Sequence, residues 1–517
     1  MRFIEFFDQG VALNPDRACL VDDQGVLSFS DVQEVSHRIA RRMLECGIGS
    51  QCKVAVISQN CSRAFECVLG TLRLGAVWVP VNIRNAIEDT IFILDSLDVE
   101  VLFLSPAYLD LLSPLRAECP KIKTYICMTS TDARNVASLD HWLTGPYEPV
   151  PPEVRSVDTL AVILGSGGTS GRSKGVMHSD LTWEALIANM RIAMPPKKSP
   201  VHLLVAPMTH GAGVVGLCLL PQGATQVIMP KFDARSVLEN IEKHRVTHIF
   251  LPPTAIYMLL ADPAIGKFDY SSLQYFIYAG APMSVEKLKK AIEIFGPVMA
   301  QTFGQAEAPM ICTYLSPEDH MEALSSRPER LLSCGRSSYL TPTEILNSEG
   351  GICPAGETGE IAVRGSLVMQ GYYNNREATA EVTSADGWHL TGDVGRKDVD
   401  GFVYIVDRKR DMIISGGFNV YPSEIEQVIW SHPAVQDCAV LGVPDEKWGE
   451  AVKAIVELKP GAGATGAEIL QLCKTRLGGV KCPKTIDFLE KLPRTANGKV
   501  SKRDLRQTYW VGHERAI

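Results

Sequence analysis

The sequence predicts an α/β fold carried by parallel sheets, followed by a smaller β-rich unit. The first observation behind this is a series of apolar runs at 54–58, 76–79, 101–104, 161–164, 203–206, 248–251 and 275–278. Continuously apolar strands of this kind belong to sheets covered on both faces. The second is that amphipathic segments such as Phe29 to Cys46 and Val237 to Lys243 lie between those runs, which is the alternation of an α/β protein. The third is a change of texture around Gly359 to Val363 and Gly401 to Val406, where segments become short and glycine-bounded. A chain of 517 residues, 46% hydrophobic, can bury several cores, so two or more domains are expected. No internal repeat or low-complexity tract interrupts it.

One stretch needs separate treatment. Ser199 to Pro230 contains no Asp, Glu, Lys or Arg, but it includes Pro207, Gly211, Gly213, Gly216, Pro221 and Gly223. A helix in lipid would have to re-satisfy every backbone group those residues disturb, so a buried strand, turn and helix is expected and no integral membrane segment. Gly211-Ala-Gly-Val-Val-Gly216 with Asp233 also imitates a dinucleotide fingerprint. Pro207 to His210 separates the apolar run from the first glycine and spoils the tight strand-to-helix turn that a pyrophosphate needs, so the imitation is rejected.

Net charge is −8, which argues against a nucleic-acid partner. The fourteen cysteines form no Cys-x-x-Cys pair and no metal-like spacing with histidine, so reduced thiols are expected rather than a disulfide or zinc framework. Glu5 and Asp8 stand where a signal peptide would be basic and then apolar. A cytoplasmic location is the expectation.

The chemistry begins at Ser166-Gly-Gly-Thr-Ser-Gly-Arg-Ser-Lys-Gly175, directly after the run Leu160 to Leu164. Glycine N–H groups, the Thr169 and Ser170 hydroxyls and the Lys174 cation suit a polyphosphate, and hence a nucleoside triphosphate. This is not a Walker loop, since Ser173 precedes the lysine and Gly175 follows it. Flexible linkers share this composition, so the loop alone leaves both readings open.

Five further segments follow in order. They are Tyr278-Ala-Gly-Ala-Pro282, Thr302-Phe-Gly-Gln-Ala-Glu307, Leu390-Thr-Gly-Asp393, the run Asp407 to Glu426 containing Arg-Lys-Arg-Asp-Met-Ile-Ile-Ser-Gly-Gly, and Pro493-Arg-Thr-Ala-Asn-Gly-Lys499. With the first loop, this ordered set resembles the adenylate-forming superfamily of acyl- and aryl-CoA synthetases, luciferases and peptide-synthetase adenylation domains, from about Ala18 to the C-terminus. The resemblance implies a large N-terminal domain, residues 1–409, and a small mobile α+β C-terminal domain, residues 410–517. Their hinge would be Arg410, where many relatives have Asp or Lys.

It also implies ATP-dependent activation of a carboxylic acid to an acyl-adenylate, then transfer to a thiol. An anion must approach a polyanion, so fixed cations at the transferring phosphoryl group are needed. Lys499 is the expected bridging cation, although alone in a tail with Lys502, Arg503 and Arg506 it would read as solvated. Glu307 is the expected Mg²⁺ ligand, because a hard cation needs a carboxylate beside the phosphates, and Thr169 assists there. Phe303 would stack on adenine where relatives usually carry Tyr. Asp393 and Arg408 would hold the ribose, a structural salt bridge being the plain alternative. His210 matches the position between acyl pocket and thiol tunnel, where a satisfied buried histidine is the plain alternative.

The expected nucleotide set is thus Ser166, Gly167, Gly168, Ser170, Gly171, Lys174, Gly280, Ala281, Pro282, Thr302, Phe303, Gly304, Asp393 and Arg408. Gly416 and Gly417 would pass the pantetheine arm of coenzyme A. Three positions depart from the common pattern: Gly167 for Ser, Ser173 for Pro, and Ala306 for a Thr whose hydroxyl contacts the α-phosphate in relatives. Coenzyme A is the simplest acceptor because no carrier domain follows Lys499 before Ile517. A stand-alone acyl-AMP ligase loading a carrier protein, a luciferase and a nucleotide-binding pseudoenzyme stay open, as does a homodimer. The segments around His210, Phe250 to Tyr257, Ala279 to Ala281 and Gly304 to Met310 should wall the acid pocket. They lack a basic residue, which favours a monocarboxylic acid that is medium-chain, alicyclic or aromatic.

Overall fold

The computed structural model describes residues 1–166, 173–408, 411–415, 418–495 and 500–510. Two large sheets form its body. One has eight strands, including Lys53–Ile57, Val77–Pro80, Val99–Leu104, Leu160–Gly165 and Gly175–Ser179. The other has nine, with Val201–Leu204, Thr225–Ile228, His248–Leu251, Tyr275–Tyr278 and Met299–Gln305 as its parallel centre. All seven apolar runs read from sequence are strands, shifted at their ends by up to two residues. The expected parallel sheets are present, and each also carries antiparallel strands beside its parallel ones. Gly175–Ser179 runs antiparallel to Leu160–Gly165, and Met299–Gln305 turns back into antiparallel Ala308–Leu315.

Helix formation follows local chemistry. Phe29–Glu45 starts at Ser28, whose side chain accepts from the Asp31 N–H while Asp31 answers in a capping box. Its buried residues Phe29, Val32, Ser36, Ile39, Ala40 and Met43 recur at helical spacing and enter the main core. The first helix, Phe3–Leu13, belongs to that core too, Phe3 stacking on Trp183 with ring centroids 4.1 Å apart. The charge-free stretch 199–230 is a strand, the helix Gly211–Leu219, a 3₁₀ turn and a second strand. No helix among the described residues is long and apolar enough to cross a membrane. A Cβ on Gly213 would collide with the Met208 carbonyl, so packing explains that glycine, and Asp233 is the N-cap of Ala234–Lys243.

The β-rich unit is a four-stranded antiparallel sheet of Thr343–Leu346, Thr358–Val363, His389–Lys397 and Val403–Arg408. Beyond it, a five-stranded sheet includes Val435–Asp445 and Gly449–Leu458 and carries the helices Pro422–Trp430, Gly466–Lys481 and Lys502–Tyr509. Strand alternation splits its core between two faces. Cys438, Val440, Val452 and Val456 pack on one side, and Ala439, Leu441 and Ile455 meet Leu492 and Leu505 on the other.

Candidate active site

Three sheets converge on the segment Thr302 to Glu307. The segment ends the strand Met299–Gln305 of the nine-stranded sheet, just beyond the carboxyl ends of parallel strands, where open α/β sheets bind ligands. The Gln305 side-chain amide donates to the Thr391 carbonyl at 3.1 Å and reaches Asp393 Oδ2 at 3.5 Å, both on the four-stranded sheet. The Ala306 carbonyl accepts from His178 Nε2 at 2.7 Å, and Glu307 Oε1 accepts from the Tyr372 hydroxyl at 2.8 Å. His178 and Tyr372 belong to the eight-stranded sheet. Close backbone approach shapes the turn, since a Cβ on Gly304 would lie 2.6 Å from the Met310 nitrogen. Met310 itself takes a left-handed φ of 63°, unfavourable for a side chain with a Cβ.

Glu307 is linked through Tyr372 to Lys174, one of the residues that flank the glycine-rich loop. The Ser166 N–H donates to the Lys174 carbonyl at 2.8 Å, the Lys174 N–H donates to Ser166 Oγ at 3.1 Å, and Ser173 Oγ donates to the Ser166 carbonyl at 2.7 Å. These bonds join Ser166 to Ser173 and Lys174 where the antiparallel strands Leu160–Gly165 and Gly175–Ser179 end, whereas a Walker loop leads from a strand into a helix. Gly167, Gly168, Thr169, Ser170 and Gly171 lie outside the described residues. Lys174 Nζ stands 4.8 Å from the centroid of the Tyr372 ring, so that ring touches both the loop cation and the Glu307 carboxylate. Burial, and then the Glu307 charge, push the Tyr372 phenol well up, which keeps its proton available for donation. Burial holds His178 down to about 4, so at neutral pH it is an uncharged prop under the Ala306 carbonyl.

Beside Gln305, Asp393 and Arg408 face each other across antiparallel strands, Arg408 Nε being 3.5 Å from Asp393 Oδ1. The Asp393 side chain is 11% exposed and the Arg408 side chain 46%, so a fixed carboxylate meets a half-free guanidinium. Thr302 is buried with no hydrogen-bond partner for its hydroxyl among the described residues, and Phe303 is buried in the main core. Gly280 and Pro282 are exposed and Ala281 partly so, in the loop after Tyr275–Tyr278, with Gly280 at a positive φ of 85°.

The segments expected to wall the acid pocket include the loops after Val201–Leu204 and His248–Leu251. His210 caps the helix Gly211–Leu219, and its Nδ1 lies 3.0 Å from the Thr209 hydroxyl. Asn60 pins the preceding loop, donating to the Ala206 and Met229 carbonyls at 3.1 Å and accepting from the Met208 N–H at 2.8 Å. A Cβ on Gly211 would fall 2.6 Å from the Phe250 ring, so that glycine lets the ring close against the helix start. Tyr257 accepts from the Ser284 N–H at 2.7 Å and so fixes the loop that follows Pro282.

Sequence reasoning missed Asn60, His178, Gln305 and Tyr372 as site-building residues. Gln305 lay inside a recognised motif, and a tyrosine beside a glycine at 371–372 was the only local sign of the last. Glu307 is connected to Lys174 through Tyr372, and among the described residues no three His, Cys, Asp or Glu side chains assemble into a metal cage. A lone carboxylate fits Mg²⁺ arriving on phosphates, an ion that keeps most of its coordination in phosphate oxygens and water. Arg410, Gly416, Gly417 and Lys499 lie outside the described residues.

The profile of the AMP-binding enzyme family matches residues 7–373, and that of the AMP-binding enzyme C-terminal domain matches residues 424–499. The chain is 38% identical over 380 residues to the medium/long-chain-fatty-acid–CoA ligase FadD8 of Mycobacterium tuberculosis, covering 72% of this chain and 65% of that enzyme. It is 32% identical over 488 residues to feruloyl-CoA synthase of an Amycolatopsis species, covering 93% and 94%. Among solved structures, the amide bond synthetase McbA from Marinactinospora thermotolerans superposes with a TM-score of 0.89 at 28% identity, covering 98% of this chain and all of that one.

Proposed function

This chain belongs to the AMP-binding enzyme family of AMP-forming acyl-CoA ligases, and from that premise we propose that it joins a monocarboxylic acid to coenzyme A through an acyl-adenylate. The observation that carries the reading is the meeting of three sheets on Thr302 to Glu307. It links Glu307 through Tyr372 to Lys174, and Gln305 of the same segment to Asp393, which supports one shared site.

In the first half-reaction a carboxylate oxygen attacks the α-phosphorus of ATP, the α–β bridging bond breaks and pyrophosphate leaves. Lys174 offsets phosphate charge from the clasped loop, Asp393 accepts from the ribose hydroxyls, and Arg408 donates beside it. Glu307 would hold Mg²⁺ beside the phosphates, which supplies charge neutralisation there. Lys499 bridges the acid and the α-phosphate. In the second half-reaction the thiol sulfur attacks the acyl carbon, the carbon–oxygen bond to AMP breaks, and the thiol proton passes to solvent. Residues 410–517 reorient about Arg410 between the two steps in this scheme. Arg410→Pro, which fixes φ, should spare adenylation and slow thioester formation about tenfold; equal loss of both would exclude the hinge.

The acid is proposed as medium-chain, alicyclic or aromatic, because the segments around His210, Phe250 to Tyr257, Ala279 to Ala281 and Gly304 to Met310 carry no Lys or Arg to pair a second carboxylate. A panel of acids assayed by pyrophosphate release would rank them. With the best acid, coenzyme A, an amine and a carrier protein are then offered in turn. Thioester formation with coenzyme A is expected. Preferential amide formation or carrier loading would overturn the acceptor assignment.

A further inference from the structure

Tyr372 occupies a place that none of the family motifs above assigns. It sits on the two-residue strand Gly371–Tyr372, paired with Val176 two residues beyond Lys174, and the adjoining Tyr373 N–H donates to the Gly175 carbonyl at 2.7 Å. The Met369 N–H donates to the Glu307 carbonyl at 2.8 Å, so the same short strap is bonded to both the loop and the acidic turn. Its ring carries the Lys174 ammonium at 4.8 Å and its hydroxyl holds Glu307 Oε1 at 2.8 Å. Two groups of opposite charge, from two different sheets, are therefore spaced by one rigid aromatic ring.

We propose that Tyr372 is the positioning residue of the phosphate site, setting the loop cation and the metal-binding carboxylate at the separation that a magnesium–triphosphate unit requires. This rests on the reading of Glu307 as the Mg²⁺ ligand and extends it to a residue that touches neither metal nor phosphate. Without the ring, Lys174 and Glu307 would be free to close on each other as an ion pair, and each would be withdrawn from the ligand. The hydroxyl leaves the second Glu307 oxygen to face the metal and fixes the plane of the carboxylate. AMP has no β- or γ-phosphate, so its binding should be indifferent to this spacing.

The test measures equilibrium binding of MgATP and of AMP by calorimetry without acid or coenzyme A, alongside thioester formation from synthetic acyl-adenylate. Tyr372→Phe keeps the ring and removes the hydroxyl; it should weaken MgATP binding about tenfold, the scale of one hydrogen bond to a charged group. Tyr372→Leu also removes the π-face under Lys174 and should weaken it a further few-fold, roughly the worth of one cation–π contact. AMP affinity and the thioester step should stay within about twofold in both, a selectivity that general loosening would not produce. Equal weakening of AMP and MgATP, or MgATP binding in Tyr372→Phe equal to wild type, overturns the proposal. Glu307→Gln separates the two levels. If it weakens MgATP while Tyr372→Phe does not, only the role of Tyr372 falls; if Glu307→Gln leaves MgATP binding intact, the metal-ligand reading falls and this inference with it.

Discussion

The two ends of the proposed nucleotide site are held by different means. At the phosphate end, backbone clasps, a buried neutral histidine and a tyrosine bridge fix Ser166, Lys174, Ala306 and Glu307 to two large sheets. At the ribose end, Asp393 is buried and tied to Gln305, but Arg408 is nearly half exposed, at the last described residue before 409–410. On the proposed reading, the contrast teaches that the body can prebuild the cradle for ATP, while Lys499, the cation that would complete it, belongs to the chain beyond Val403–Arg408. A prebuilt cradle costs no reorganisation at the moment of reaction, whereas a late-arriving cation can be withdrawn after one step.

The strongest way to break that contrast is Lys499→Ala. If Lys499 is the withdrawn cation, adenylation should fall on the order of a hundredfold or more, about 3 kcal/mol of transition-state stabilisation. Supplied with synthetic acyl-adenylate and coenzyme A, the variant should turn over within a few-fold of wild type. Collapse of both reactions in a folded variant would show that the residue is not confined to one half-reaction.

The next effect tests how firmly the phosphate end is prebuilt. Folded His178 titrates at about 4 against an ordinary 6.5, because burial disfavours its charged form. Between these values the unfolded chain binds a proton that the folded chain refuses, so this stabilisation is full above pH 6.5 and is lost as pH falls toward 4. The loss amounts to about 3 kcal/mol. His178→Gln keeps an amide donor for the Ala306 carbonyl and cannot titrate. Denaturant titrations should show its stability less steep in pH over that window, by up to one proton, or about 1.4 kcal/mol per pH unit. An unchanged slope would mean that His178 is not held neutral under the cradle.

Much of this architecture was legible in the sequence because its signals are local. Continuous apolar runs gave the strands, and ordered motifs gave Glu307, Asp393 and Arg408, which the fold brings to one segment. The antiparallel strand Gly175–Ser179 was not read, since Val176 to Ser179 carries no pattern distinct from the helix that follows at Asp180. Tyr372 and His178 were invisible for a different reason. Their partners, Glu307 and Ala306, lie 65 and 128 residues away, and no periodicity encodes which side chains meet across sheets. The hydrogen bond of Tyr257 to Ser284 is likewise a tertiary fact.

Asp393 and Arg408 sharpen the comparison at the ribose end. A buried carboxylate accepting from ribose hydroxyls should matter more than a half-exposed guanidinium. Asp393→Ala is expected to raise the ATP KM by roughly thirtyfold or more, the loss of two hydrogen bonds to a charged acceptor. Arg408→Ala should cost only a few-fold, about 1 kcal/mol, as exposed pairs do. Steady-state adenylation kinetics decide between them, and an effect of Arg408 equal to that of Asp393 would mean that the guanidinium is locked in the working enzyme.

The smallest effect concerns Ala306, where relatives are expected to carry a threonine hydroxyl on the α-phosphate. Here the Ala306 carbonyl is bound by His178 and its methyl packs beside Val176, Met369 and Tyr372, so the backbone at this position is set without help from the side chain. Ala306→Thr adds one hydroxyl to a fixed frame. If that hydroxyl reaches the α-phosphate it contributes about 1 kcal/mol, a few-fold gain in adenylation rate, with thioester formation from acyl-adenylate unchanged. The side chain is only partly buried, so the added atoms have room and stability should hold within about 1 kcal/mol. A fall in adenylation with intact stability would show instead that the phosphate end has settled into a geometry in which a methyl group, and no donor, faces the α-phosphate.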